Sequence, residues 1–232
     1  MTDPVVALSA FSTIPDGGLD DSEPMNGRVY ATLRAQLMSG AFEPGEVVSI
    51  RSLAEKLGTS TMPVREALHR LIGDRALETR ANRTIAVPLI SRAGFRAIAE
   101  VRVALEGLAA ERAAKHLSEA EIDRLDALTQ GMAEAARLNE PQRYLALNTD
   151  FHHSIYRAAQ NPVLLDLIEK LWVQAGPQFN FLFHTVGVPM RTIAPHEAII
   201  AALRAGDGAG ARQSVQRDIS ESIPDIVETL PV

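Results

Sequence analysis

The chain has 232 residues, 46% of them hydrophobic and 22% charged, with a net charge of −6 and no cysteine. That length allows one large domain or two small ones with a buried core, and no apolar run approaches the roughly 18 residues needed to span a bilayer. Without cysteine there are no disulfides, thiolate zinc sites, Fe–S clusters or cysteine nucleophiles, so any metal must sit on nitrogen and oxygen ligands.

The first residues, Met1–Phe11, lack the basic flank of a signal peptide, so a cytoplasmic location is expected. Residues 1–25 carry five acids and no base. Residues 26–90 hold nine Lys and Arg against six Asp and Glu, and residues 91–232 hold 14 against 18. A small basic module followed by a larger acidic one is the expected organisation.

Gly, Pro, Asp and Ser crowd residues 12–27, so 1–27 is expected to be a disordered leader. Helical spacing begins near Arg28 with Val29, Leu33, Leu37 and Met38, and Gly40 ends it. A short second helix spans Arg51–Leu57, with Ser49 as N-cap and Gly58 as its left-handed stop. A third starts at Ser60 or Thr61, tolerates Pro63 in its first turn, and ends near Asp74. Leu77–Arg80 and Thr84–Val87 then read as a hairpin around Ala81-Asn82-Arg83. Helix, helix–turn–helix, hairpin is the order of a winged helix, assigned to residues 28–90.

After Pro88 the chain is helical throughout. Segments are expected at 91–117, 118–138, 141–160, 163–183, 190–205 and from 209 to about 228. Ser118-Glu-Ala-Glu121 reads as a capping box and Asn161-Pro162 as a break. Six helices over 91–232 make a bundle. The expected fold class is therefore mainly α: an N-terminal winged helix-turn-helix plus a C-terminal all-α six-helix bundle.

A helix–turn–helix presents the front of its second helix to base edges in the major groove. Here that front carries Ser60, Thr61, Met62, Arg65 and, a turn later, His69. Arg65 suits a guanine edge or a phosphate, and the two hydroxyls suit either contact. Arg83 at the hairpin tip suits a minor groove or backbone, while Arg28 and Arg51 could position the duplex. On periodicity alone these arginines could equally be the solvated face of a small helical domain. Trp172 and Phe151 read as core, and His184 as a helix-end residue. Asp150 and His153 lie far around their helix from Asn148 and are expected to be exposed or interfacial.

Gly40-Ala-Phe-Glu-Pro-Gly45, Leu53-Ala-Glu-Lys-Leu-Gly58 and Ser60-Thr-Met-Pro-Val-Arg-Glu-Ala-Leu68 together resemble the DNA-binding domain of GntR-family transcriptional regulators. Two positions depart from that pattern. Thr61 stands where an arginine is usual, and Asn82 and Arg83 replace wing-tip glycines; Asn82 tolerates positive φ, so the wing geometry is expected to survive. Glu100-Val-Arg-Val-Ala-Leu-Glu106, Phe151-His152 with Asn161-Pro162, and His196-Glu-Ala-Ile199 resemble the FCD effector-binding domain of the FadR subgroup, in its six-helix, VanR-like form.

The resemblance implies a ligand-responsive repressor that binds double-stranded DNA at an inverted repeat as a homodimer. It also implies a divalent transition metal, Zn, Ni or Mn, in the bundle, at positions matching Asn148, His152, His196 and Asp218. Asn148 replaces a usual Asp and Asp218 a usual His, so a metal-free polar pocket stands beside the metal reading. Arg102 matches an arginine that can receive an effector carboxylate; a salt bridge to Glu106 is the alternative. A metal-dependent enzyme on the bundle lacks support from any His-Glu-x-x-His, Gly-x-Ser-x-Gly or phosphate-cradling loop. A purely architectural DNA-binding protein leaves the bundle's His and Arg residues unexplained.

Overall fold

In the computed structural model, residues 24–187 and 192–230 are described. Most of the expected leader, residues 1–23, and the expected start of the fifth bundle helix at 190 lie outside them. The first helix, α1 (Met25–Met38), begins three residues before the expected Arg28. The Pro24 carbonyl accepts the Gly27 and Arg28 amides at 2.8 and 3.2 Å. Asn26 Nδ2 donates to Glu66 Oε2 at 2.6 Å, tying this end to another helix. Composition could not show that tie, so 25–27 belong to the helix and not to a leader.

The second and third helices are α2 (Ile50–Lys56) and α3 (Thr61–Gly73). The Ser49 hydroxyl caps α2 by accepting from Ser52 N, and Gly58 adopts φ +63° after it, as expected. Three two-residue strands, β1 (Val47–Val48), β2 (Glu78–Thr79) and β3 (Ile85–Ala86), form an antiparallel sheet in the order β1-β3-β2. Val47 pairs with Ala86 and Val48 with Ile85. The first strand was not legible in the sequence because two residues carry no period. At the wing tip it is Arg83, not Asn82, that takes the left-handed φ, at +62°. Asn82 instead uses its Oδ1 to accept from Thr84 N and Oγ1, at 3.1 and 2.6 Å, which frees the next residue to make the turn. Val29, Leu33, Leu37, Val64, Leu68 and Leu71 close the core under these elements.

The bundle comprises α4 (Arg92–Ala113), α5 (Glu119–Arg137), α6 (Pro141–Ala158), α7 (Pro162–Val186), α8 (Ile193–Arg204) and α9 (Gly208–Thr229). The capping box forms as expected, with Ser118 and Glu121 satisfying each other's backbone amides. Asn161 caps α7 through its side chain. Helices α4 and α9 cross closely: a Cβ on Gly107 would sit 2.8 Å from Gln216 Cγ. Among the described residues no helix is long and apolar enough to cross a membrane.

The two modules meet where α1 packs on α7. Arg34 Nη1 bonds Glu169 Oε2 at 2.8 Å, and Gln174 Nε2 donates to the Asp74 carbonyl at 3.1 Å. Further along α7, Gly176 lies against the end of α1; a Cβ there would overlap the Leu37 carbonyl oxygen and sit 2.9 Å from Met38 Cα. Pro177 follows inside the same helix.

Candidate functional site

On the winged helix, Ser60, Thr61, Arg65 and His69 are all exposed along the front of α3. The Ser60 hydroxyl makes no capping bond to its own helix. Val64, Ala67, Leu68 and Leu71 bury the opposite face, so the 3.6-residue period itself turns the polar residues outward. Arg83 is exposed at the wing tip, and Arg51 is exposed beside Glu55 at 3.3 Å. Arg28 is half-buried on α1.

In the bundle, α6 projects Tyr144, Asn148 and His152 at four-residue intervals into a cavity of about 120 Å³. Helix α8 contributes His196, α9 contributes Asp218, and α7 contributes Trp172, Phe179 and Phe183. His152, His196 and Asp218 bring one ligand atom each within 4.8 Å of one another. His152 Nε2 lies 3.4 Å from Asp218 Oδ2, and His196 Nε2 lies 3.0 Å from Asn148 Oδ1. Thus the four positions matched from sequence come together in space.

The chemistry of this set suits a cation. His196 Nδ1 faces the Thr192 carbonyl at 2.6 Å, and a carbonyl only accepts. The ring proton therefore sits on Nδ1, and Nε2 turns a lone pair toward the Asn148 oxygen. Two acceptors so placed repel, and either a shared cation or a turn of the Asn148 amide that lets its NH2 donate to Nε2 relieves them. Burial, the nearby His196 and the Arg102 charge push His152 well below the ordinary imidazole range, so it stands as a neutral donor. Burial pushes the Asp218 carboxyl up, the mark of an anion lacking solvent. Two imidazoles, one carboxylate and an amide oxygen fit Zn, Ni or Mn.

Arg102 is buried, lines the cavity and stacks over Trp172 with its guanidinium 4.6 Å from the ring centre. Of the two sequence alternatives, the salt bridge to Glu106 is the one formed. Arg102 Nε and Nη2 hold Glu106 at 2.6 and 3.3 Å, using one edge of the fork. Glu106 also accepts the Tyr156 hydroxyl. Tyr144 and Tyr156 were not singled out from sequence, and Glu106 was named only as a salt-bridge partner for Arg102. Glu106 and Tyr156 stand four residues after Arg102 and His152, and that spacing was the available signal.

Two further expectations divide. Asp150 is exposed as expected, but His153 is only 1% exposed. It packs edge-on to Trp172 with ring centres 4.9 Å apart, because α6 is covered on more than one side by α4, α5 and α7. Burial drops its pKa to about 3, so it stays neutral. Trp172 and Phe151 are core residues, at 4% and 0% exposure. The His184 side chain lies outside the described residues.

A winged helix with an exposed recognition face, tied to a helical bundle with a polar cavity, defines a class of two-domain DNA-binding regulators. Residues 26–87 match the bacterial regulatory proteins of the gntR family, and residues 97–221 match the FCD domain. The chain belongs to the GntR family and carries an FCD domain. It is 31% identical over 198 residues to the HTH-type transcriptional regulator McbR of Escherichia coli K12, covering 84% of this chain and 90% of that one. It is 26% identical over 211 residues to the HTH-type transcriptional repressor RspR of the same organism, covering 90% and 92%. The solved structure of E. coli McbR/YncC superposes with a TM-score of 0.83 at 28% identity, over 89% of this chain and 98% of that one. These relatives are transcriptional regulators, not enzymes, and this chain is a transcriptional regulator.

Proposed function

We propose that the protein is a cytoplasmic, effector-responsive repressor that binds an inverted-repeat operator as a homodimer. A small carboxylate effector enters the bundle cavity, where Arg102 and a divalent transition metal would receive it. Asn148, His152, His196 and Asp218 would hold that metal, which supplies a Lewis-acidic anchor for an oxygen ligand. The observation carrying this reading is the convergence of His152, His196 and Asp218 inside a cavity that also exposes Arg102. The repressor RspR supports the sign of the response.

Helix α7 supplies the connection. Trp172, Phe179 and Phe183 face the cavity, while Glu169, Gln174 and Gly176 hold α1 and the end of α3. An effector that prefers one placement of α7 thereby biases the winged helix.

For DNA, selection from a random duplex pool is expected to recover an inverted repeat, and Arg65→Ala should weaken binding to it about tenfold or more. In the same preparations, wild-type protein should carry about one transition metal per chain by mass spectrometry, and His152→Ala none. Undiminished DNA binding by Arg65→Ala would remove the recognition helix from this assignment; stoichiometric metal in His152→Ala would remove the metal site.

The second copy has a seam to use. Ala97, Val101, Ala104 and Leu108 are exposed on α4 at the alternating four- and three-residue steps of a helix–helix interface. Val101 and Leu108 are 47% and 37% exposed, unusual for large apolar side chains in the middle of a helix of a monomeric bundle. Sedimentation equilibrium should show a dimer for the wild type and a monomer for Leu108→Asp. A monomeric wild type would sink the homodimer, and a dimeric variant would sink this seam.

A further inference from the structure

Three buried side chains outside the metal-ligand set, Arg102, Glu106 and Tyr156, form one hydrogen-bonded row behind His152. Arg102 and Glu106 are four residues apart on α4, and His152 and Tyr156 are four apart on α6. The two pairs face each other across the α4–α6 contact. Exposure is 4% for Arg102, 0% for Glu106, 1% for Tyr156 and 3% for His152, so the row is shut off from bulk solvent. Arg102 holds Glu106 with two N–H groups, Tyr156 Oη donates to Glu106 Oε2, and His152 Nδ1 stands 3.1 Å from Tyr156 Oη.

We propose that Glu106 and Tyr156 are positioning residues for His152, holding it in the tautomer whose Nε2 is free to bind a cation. The proton count leaves one solution. A guanidinium gripping Glu106 from two atoms keeps it a carboxylate, which can only accept. Tyr156 therefore spends its single proton on Glu106, which has none of its own to offer. The Tyr156 oxygen is then left to accept, and the group facing it is His152 Nδ1. With Nδ1 protonated, Nε2 presents a lone pair to the cavity, 3.4 Å from Asp218 Oδ2.

The opposite tautomer would put a proton on Nε2, donate it to Asp218, and close the ligand position. It would also require Tyr156 to turn its hydroxyl away from Glu106, leaving two oxygens in short contact with no proton between them. The row thus selects a metal-ready imidazole before any metal arrives, the task a carboxylate or carbonyl performs directly in other metal sites. Arg102 acquires a second role here, independent of any effector: it fixes the charge at the far end of the row.

The test is a long-range ¹H–¹⁵N spectrum of the full-length protein stripped of metal with chelator, the His152 signals assigned by loss in His152→Gln. The expected wild-type pattern is a protonated Nδ1 and an unprotonated Nε2. Tyr156→Phe keeps the ring and removes only the hydroxyl, so His152 should switch to a protonated Nε2, and zinc affinity, measured by competition with a chelating dye, should fall about 10–100-fold. A protonated Nε2 in the wild type overturns the proposal, as does a tautomer unmoved by Tyr156→Phe, whatever zinc does. Should that variant fail to fold, the wild-type spectrum alone still decides. Only the zinc readout rests on the metal binding proposed above: the expected tautomers with no zinc bound by either protein would uphold the positioning and sink the metal reading.

Discussion

Glu106→Ala is expected to destabilise the protein by about 3–5 kcal/mol, the cost of leaving one partner of a buried ion pair alone. Glu106 is fully buried and its two oxygens take Nε and Nη2 of Arg102 and the Tyr156 hydroxyl. Alanine removes all of these at once. The Arg102 cation would then lie against Trp172 and Phe179, at 4.6 and 5.7 Å from the ring centres, supported by cation–π attraction and the more distant Asp218 charge. That attraction is worth about 2 kcal/mol when desolvated and does not offset the lost carboxylate. Urea unfolding at fixed temperature measures the loss. Replacing both partners together, Arg102→Met with Glu106→Leu, should recover most of it, because the desolvation penalty leaves with the charges. A Glu106→Ala loss below about 1 kcal/mol would mean that the pair is solvated through the cavity and that Arg102 is open to an incoming carboxylate at little cost.

Gly176→Ala is expected to loosen the joint between the winged helix and the bundle. The added methyl would overlap the Leu37 carbonyl oxygen and crowd Met38 Cα, and both obstacles are backbone. No rotamer change can relieve them, so α1 or α7 must shift. Overpacking of this kind costs about 1–3 kcal/mol. Movement of α1 also stretches the Arg34–Glu169 bridge, which is 2.8 Å long and half-shielded from solvent. The prediction is therefore double: a lower melting temperature, and faster hydrogen exchange in α1 and the middle of α7. Gly73→Ala is the control, since nothing lies within 4 Å of a Cβ there and it sits inside α3; it should be neutral or stabilising by up to about 1 kcal/mol. Equal behaviour of the two variants would show that the α1–α7 contact does not hold the modules together.

Local chemistry explains which parts of the architecture were legible beforehand. Ser118 with Glu121, Asn161 before Pro162, and Gly58 after α2 each act on their own backbone within three residues, so their outcome is written where they stand. The apolar stripe of α3 likewise determined which of its residues face outward. Elsewhere the local rule pointed the wrong way or was silent. Asn82 was the better candidate for positive φ at the wing, yet its side chain bonds Thr84 and passes the left-handed turn to Arg83. His153, set far around α6 from Asn148, is buried because Trp172 arrives from another helix. Gly176-Pro177 would break an isolated helix, but α7 continues through both, packed between α1 and the cavity.

The candidate site shows the same division. Asn148 and His152 share a face by their spacing alone, and Arg102 and Glu106 are within reach of each other on any helix. That His196 and Asp218 complete the set, and that Glu106 meets Tyr156 across α4 and α6, follows only from how the helices cross.

By itself the sequence determined the order of the helices, several of their caps, the outward face of the recognition helix and the fold class, because each depends on neighbours within about one helical turn. The tertiary structure alone decided that three ligand atoms from α6, α8 and α9 converge, that Arg102 is already held by a carboxylate, and that one helix serves both the cavity and the winged helix. Those outcomes depend on contacts between residues 34 and 169 or 148 and 196, whose approach is set by the packing of whole helices and leaves no local trace in the chain.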